Sequence, residues 1–282
     1  MKYLILIIFV LIMSACDLDP KQEIIDIGVS EETNIEATPI KKISKAEYLA
    51  IATSSTCATS RFGNRGAPKQ GFMKGIALTY AKTVCNPTGD TYKIASQALG
   101  NSNVDALTHY GLTPKTELER LNLTFSLAIG SGGRESSWKW YCGRDASATN
   151  TTASTAEAGL YQTSFNSRYN RDGATINAAR DKLYKFFKTD KSRCFATEYK
   201  SGLAGDATNL KNWGTGEGVV FQELSKHCTG FATEYHLMMV RERRTHYGPI
   251  NTKKSEIKPV CTSMFEKLNK AIKDNPSICS QI

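Results

Sequence analysis

Gly130-Ser131-Gly132-Gly133-Arg134-Glu135-Ser136-Ser137 and, farther on, Ala158-Gly159-Leu160-Tyr161-Gln162 are the stretches on which the reading of this chain turns. The first closes a helix. Thr113 offers an N-cap, Pro114 a first helical position and Glu117 an acid in the first turn. Leu118, Leu121, Phe125, Ala128 and Ile129 then follow the three-and-four spacing of a buried face. Glycine in a helix interior costs about 1 kcal/mol, so three in succession predict an end that is either loose or closely packed, with Glu135 just past it.

The whole chain has 282 residues, 40% hydrophobic content and a mean hydropathy of -0.35. That is enough for one cored domain with extensions, and it excludes a multi-span membrane protein. The formal charge is +9; Lys2 is the one charge in residues 1–15, so the remainder carries +8. A basic surface favours an anionic partner, but no zinc finger, arginine-rich helix or RNP-type aromatic motif supports nucleic acid. Lys2, the apolar run Tyr3–Met13 and Ser14-Ala15-Cys16 form a signal peptide, residues 1–15. Met13-Ser14-Ala15-Cys16 resembles a bacterial lipobox, which implies a lipid anchor on Cys16; plain cleavage at Ala15 is the alternative. The apolar run falls short of the ~20 residues that span a membrane.

Eight cysteines in an exported chain read as disulfides. With Cys16 lipidated, seven remain (Cys57, Cys85, Cys142, Cys194, Cys228, Cys261 and Cys279), so three bridges leave one thiol over, and spacing does not give the connectivity. No Cys-x-x-Cys occurs, and His109, His227, His236 and His246 make no ligand motif, so neither metal nor cofactor is implied.

Residues 16–43 read as a flexible tether. Ser44, with Glu47 as partner, caps a helix reaching about Ser55. A second helix covers Met73–Thr83 and stops before the turn cluster Asn86-Pro87-Thr88-Gly89-Asp90. Further helices are expected over Thr175–Phe187, Phe195–Lys200, Thr229–Arg243 and Cys261–Lys273, and the segment from Trp138 to Glu157 as a polar loop lining a cleft. Cys194-Phe195-Ala196-Thr197-Glu198-Tyr199 and Phe231-Ala232-Thr233-Glu234-Tyr235 share five residues, too few for a repeat architecture. Little reads as strand, so the fold class is mainly α.

Glu135-Ser136 followed by Gly159-Leu160-Tyr161-Gln162 resembles the site of the lysozyme-like superfamily, in particular goose-type lysozymes and bacterial lytic transglycosylases. There the pattern is Glu-Ser, a variable stretch and Gly-Leu-Met-Gln; Tyr161 replaces the Met. Asn212-Trp213-Gly214-Thr215-Gly216-Glu217-Gly218-Val219 is similar to the third motif, and Thr233-Glu234-Tyr235 to the fourth. The resemblance covers about 100 residues, Glu135–Tyr235. It implies a lysozyme-like fold with Glu135 as general acid, and Ser136, Gln162, Asn212 and Tyr235 as residues that position sugar and carboxylate. Trp138 and Tyr161 are expected to wall the cleft. The Cys-rich version with Tyr for Met is also similar to lysozymes of predatory bacteria that select de-N-acetylated peptidoglycan, although the added amines of such a wall sit awkwardly with +8.

Each position has a plainer reading: Glu135 a surface carboxylate, Gln162 a turn cap, Asn212 a loop start, Tyr235 a core aromatic. A second carboxylate is not marked by any motif; Asp145 and Glu157 are candidates, so hydrolysis and transglycosylation stay open. The expected organisation is 1–15 signal peptide, 16–43 lipidated tether, 44–112 helical extension, 113–250 lysozyme-like domain and 251–282 C-terminal helix. The expectation is a monomeric, exported enzyme that cuts peptidoglycan between N-acetylmuramic acid and N-acetylglucosamine, anchored through Cys16. A non-catalytic wall-binding lipoprotein on the same fold, or a disulfide-rich surface adhesin, is the alternative.

Overall fold

Buried polar backbone decides where the helices begin. The computed structural model describes residues 42–99, 103–144, 152–168, 174–195, 212–242 and 244–282. The signal segment, most of the tether, Cys16, Asp145 and the helix expected after Phe195 lie outside these residues. Eight helices of more than one turn are described: α1 (Lys45–Thr53), α2 (Gln70–Val84), α3 (Asp90–Ser96), α4 (Glu117–Ser136), α5 (Ala174–Thr189), α6 (Glu217–His227), α7 (Thr229–Glu242) and α8 (Pro259–Asp274). The described residues contain no strand, only an isolated bridge between Ala158 and Thr163. The chain is mainly α.

The cap expected at Ser44 is present: Ser44 Oγ accepts from Glu47 N at 3.2 Å, and Glu47 Oε2 accepts from Ser44 N at 2.7 Å. At α4 the cap is Thr116, three residues later than Thr113-Pro114 suggested. Thr116 Oγ1 accepts from Glu119 N at 3.1 Å, while Glu119 Oε2 accepts from Thr116 N at 3.3 Å and Lys115 N at 2.6 Å. This reciprocal box satisfies donors that Thr113 and Pro114 leave open. Helices α3 and α6 were not expected; each starts directly after a glycine, Gly89 and Gly216, in a stretch that reads as turn.

Two helices are buried along most of their length. On α7 every residue from Phe231 to Arg241 is buried, and it packs against α2, α3, α4, α5 and α6. A helix enclosed on all sides has to satisfy its few polar side chains internally. Arg241 does so on Asp105 and the Gln97 carbonyl. Helix α4 is the second. Its glycines are closely packed, not loose, and the helix runs through them so that Glu135 lies in its last turn.

Two apolar clusters result. One joins α1, α2, α4 and α8, the other α5, α6 and α7. The segments 44–112 and 251–282 share a core with α4. Disulfides tie them further: Cys57–Cys261 closes 204 residues, Cys85–Cys279 closes 194, and Cys194–Cys228 closes 34. The expected left-over thiol is not found, since no described cysteine is free. Such bridges fit an oxidising compartment, and no described helix is long and apolar enough to cross a membrane.

A Cβ at Gly130 would collide with the backbone oxygen and nitrogen of Glu256. Gly→Ala inside a helix ordinarily stabilises by about 1 kcal/mol. Here Gly130→Ala is expected to reverse sign and destabilise by about 1–3 kcal/mol, the usual range for overpacking. Urea denaturation of the variant checks this; a gain in stability would mean that α4 and the Glu256 segment are not in contact.

Candidate active site

The end of α4 is built by a reversal of the chain. Ser137 and Trp138 both take left-handed backbone conformations, φ 52° and 57°. Ser137 N donates to Gly133 O at 3.0 Å and Trp138 N to Gly132 O at 3.1 Å, which closes the helix end. Trp138 thereby folds back beneath α4. Its Nε1 donates to Ile129 O at 2.9 Å, and its ring lies so close to Gly133 that a Cβ there would come within 2.6 Å. Phe62 and Phe72 enclose the ring, at centroid distances of 5.5 and 6.5 Å. Trp138 is 2% exposed. It is a core wedge that fixes the turn carrying Glu135, not a wall of an open cleft.

Ser136 joins the two motifs. Its hydroxyl is 3.1 Å from Gly132 O and 2.9 Å from Leu160 O. The Gly-Leu-Tyr-Gln segment is itself a tight turn closed by Ala158 N to Thr163 O, 3.0 Å, and Thr163 N to Ala158 O, 3.3 Å. Gly159, φ +76°, admits no side chain because a Cβ would strike the Ser225 carbonyl at the end of α6. Gln162 caps its own turn, Nε2 donating to Gly159 O at 3.0 Å. Tyr161 is buried and stacks on His236 of α7, 4.0 Å between centroids and 5° between planes. Its hydroxyl lies 3.4 Å from Thr233 Oγ1.

Glu135 stays partly open to solvent on its surface while protein fills the volume around it. That desolvation pushes its carboxyl up to about 8, helped by the negative charge of Glu157 and opposed by Arg65 and Arg134. Glu157 is thus a close electrostatic neighbour of Glu135, and of the two candidate second carboxylates it is the one described. Tyr247 belongs to the same group. It is 3% exposed and its phenol is raised by burial first, then by Glu135 and Tyr235, with Arg180 opposing. The Tyr247 ring meets His236 edge-on at 4.8 Å.

Tyr235 is fully buried, its hydroxyl 2.8 Å from Ser167 Oγ and its ring 5.1 Å from Phe221. Asn212 donates to Glu223 of α6, and the backbone N of Trp213 to Gln222 Oε1 at 2.7 Å. The structure therefore gathers Glu135, Ser136, Trp138, Tyr161, Gln162 and Glu157 around one helix end, with Tyr235 packed behind. Asn212 is engaged on α6. His236, Tyr247, Arg65 and Arg134 belong to the site without any of them having been given a role in the sequence reading. No group of three or more metal-ligating side chains occurs among the described residues.

No protein-family model, curated protein or solved structure matches this chain.

Two outcomes follow from this geometry. Trp138→Ala is expected to cost about 3–5 kcal/mol, as for a buried aromatic, in a denaturation experiment; a cleft-wall tryptophan would cost far less. Glu135 has a folded pKa above its unfolded value, so its neutral form is favoured by folding. Its contribution is complete below the ordinary carboxylate range and is lost as pH rises toward about 8. Glu135→Gln should consequently match wild-type stability near pH 4 and exceed it by at least about 1 kcal/mol above pH 8, one pKa unit being worth about 1.4 kcal/mol. Parallel stability curves across that window would mean that the carboxyl is not perturbed.

Proposed function

We propose that this protein cleaves the glycan strand of peptidoglycan between N-acetylmuramic acid and N-acetylglucosamine, with Glu135 as general acid. The observation that carries the reading is a carboxyl in the last turn of a buried helix, pushed up to about 8 by burial and by Glu157. A carboxylic acid that keeps its proton at neutral pH can deliver it to the leaving glycosidic oxygen. The C–O bond then breaks while positive charge grows on the sugar. Glu157 is the described carboxylate placed to stabilise that charge or to activate water. In the transglycosylase variant the sugar's own 6-hydroxyl attacks instead, and Glu135 takes the proton back.

The motifs support the reading from the sequence side. Ser136 bonding to Leu160 O physically connects Glu-Ser to Gly-Leu-Tyr-Gln. Arg65 and Arg134 beside the acid suit an anionic polymer. The disulfides fit the export that residues 1–15 imply.

The test is release of soluble muropeptides from purified sacculi, products read by mass. Glu135→Gln should lose about 100-fold or more, the usual worth of a general acid. Reducing ends identify hydrolysis and anhydro ends transglycosylation. Wild-type activity should persist to about pH 8 and fall above it, where the acid loses its proton. Glu157→Gln removes the repulsion, so the alkaline limb should move to lower pH. Equal activity of wild type and Glu135→Gln would exclude Glu135 as the acid, and a folded wild type that releases nothing would exclude the reaction.

A further inference from the structure

Glu234 and Met238, one turn apart on α7, face away from Tyr161 into a cavity of about 160 Å³ between the end of α2, the start of α3 and α5. The cavity has a fixed polar centre. Glu234 is 2% exposed; its Oε1 accepts from Arg193 Nη2 at 2.5 Å and its Oε2 from Thr91 Oγ1 at 2.5 Å. Arg193 is held from behind. The Cys194–Cys228 bridge follows it, Gly230 N donates to Cys194 O at 3.1 Å, and a Cβ at Gly230 would strike the Arg193 carbonyl.

Charges around this cavity do not balance. Lys82, Lys182 and Arg193 line it with two carboxylates, Asp90 and Glu234. Asp90 is taken by Lys182 at 3.0 Å and Glu234 by Arg193. Lys82 has no carboxylate partner among the described residues, and the buried Nε of Arg193 finds no acceptor. Burial and the neighbouring Arg193 both hold the Lys82 ammonium below its usual range, with Lys45 adding to the effect. Leu183, Phe186 and Met238 supply an apolar side. A water needs only about 10–15 Å³ of such space, so the cavity admits a small organic molecule and not a glycan strand.

We propose that this cavity binds a small organic carboxylate, its anionic head on Lys82 and its apolar end on Leu183, Phe186 and Met238. The site stands on different residues from Glu135 and does not depend on the wall-cleaving reading. An anion there supplies the charge that Lys82 lacks, and charge-assisted bonds of this kind are among the stronger polar contacts.

The experiment is titration of the purified protein with acetate, butyrate and inorganic phosphate against a chloride background, read on the Met238 methyl resonance. Butyrate should shift it saturably and bind about tenfold tighter than acetate, because two further CH₂ groups are buried. Lys82→Met should weaken butyrate about tenfold or more. Lys270→Met removes the same charge from an exposed pair with Asp274 on α8 and should leave binding unchanged. An absence of saturable shift, equal affinity in Lys82→Met, or equal weakening in Lys270→Met would overturn the proposal. Phosphate binding tighter than butyrate would overturn its organic part and leave an inorganic anion site.

Discussion

The return of Trp138 beneath its own helix is the constraint on which the rest of this site depends. A left-handed conformation is unfavourable at a residue that carries a side chain, and here two such residues, Ser137 and Trp138, follow each other. The arrangement holds because the indole finds a carbonyl at Ile129, a bare backbone at Gly133, and aromatic neighbours in Phe62 and Phe72. Remove the glycines and the ring has no room; remove the ring and the helix end has nothing to turn around. Glu135 lies between the glycines and the tryptophan, so its position is set by packing on both sides. The helix propensity lost at Gly132 and Gly133 is the cost of that placement.

A carboxyl placed this way acquires unusual electrostatics, with burial as the largest cause. The helix end brings Glu135 into low-dielectric surroundings. The Ala158–Thr163 turn, fastened to α4 through Ser136 and Leu160, brings Glu157 to the same place. Two negative groups held near each other away from water cannot both ionise cheaply. Arg65 and Arg134 oppose that effect but do not reverse it. The motif order visible in the sequence thus has a physical content: Glu-Ser supplies the acid and the fastener, and Gly-Leu-Tyr-Gln supplies the turn that delivers its neighbour. Gly159 is required at its position because the turn runs against the Ser225 carbonyl.

Local signals were legible and convergent ones were not. The Ser44–Glu47 box and the bodies of α2, α5, α7 and α8 could be read because each depends on residues within a few positions of one another. The start of α4 slipped by three residues because Thr113-Pro114 and Thr116-Glu119 both offer a cap, and only hydrogen bonding decides between them. Helices α3 and α6 were hidden by the glycines that precede them, which read as turn chemistry. Trp138 was expected in the cleft because it lies three residues from Glu135 in the sequence; its burial comes from Phe62 and Phe72, far away in the chain. His236 and Tyr247 could not be tied to Glu135 by any spacing. They meet it through the stack of Tyr161, His236 and Tyr247, which is a property of how α7 and the segment after it cross.

That crossing also explains why the ends of the chain cannot be treated as appendages. Phe62 and Phe72, which enclose Trp138, come from the segment before α4, as does Arg65 beside Glu135. The Glu256 backbone, which presses on Gly130, comes from the segment after α7. Cys57–Cys261 and Cys85–Cys279 join those same two segments across 204 and 194 residues. In the chain-entropy account either loop, taken alone, is worth about 5 kcal/mol. The stabilisation is therefore spent on the layer that holds the far side of α4. An acid buried by packing has to be defended against local opening, because each opening returns it to water and to an ordinary pKa. Covalent closure of the surrounding layer, available only where disulfides form, is a direct way to keep it buried.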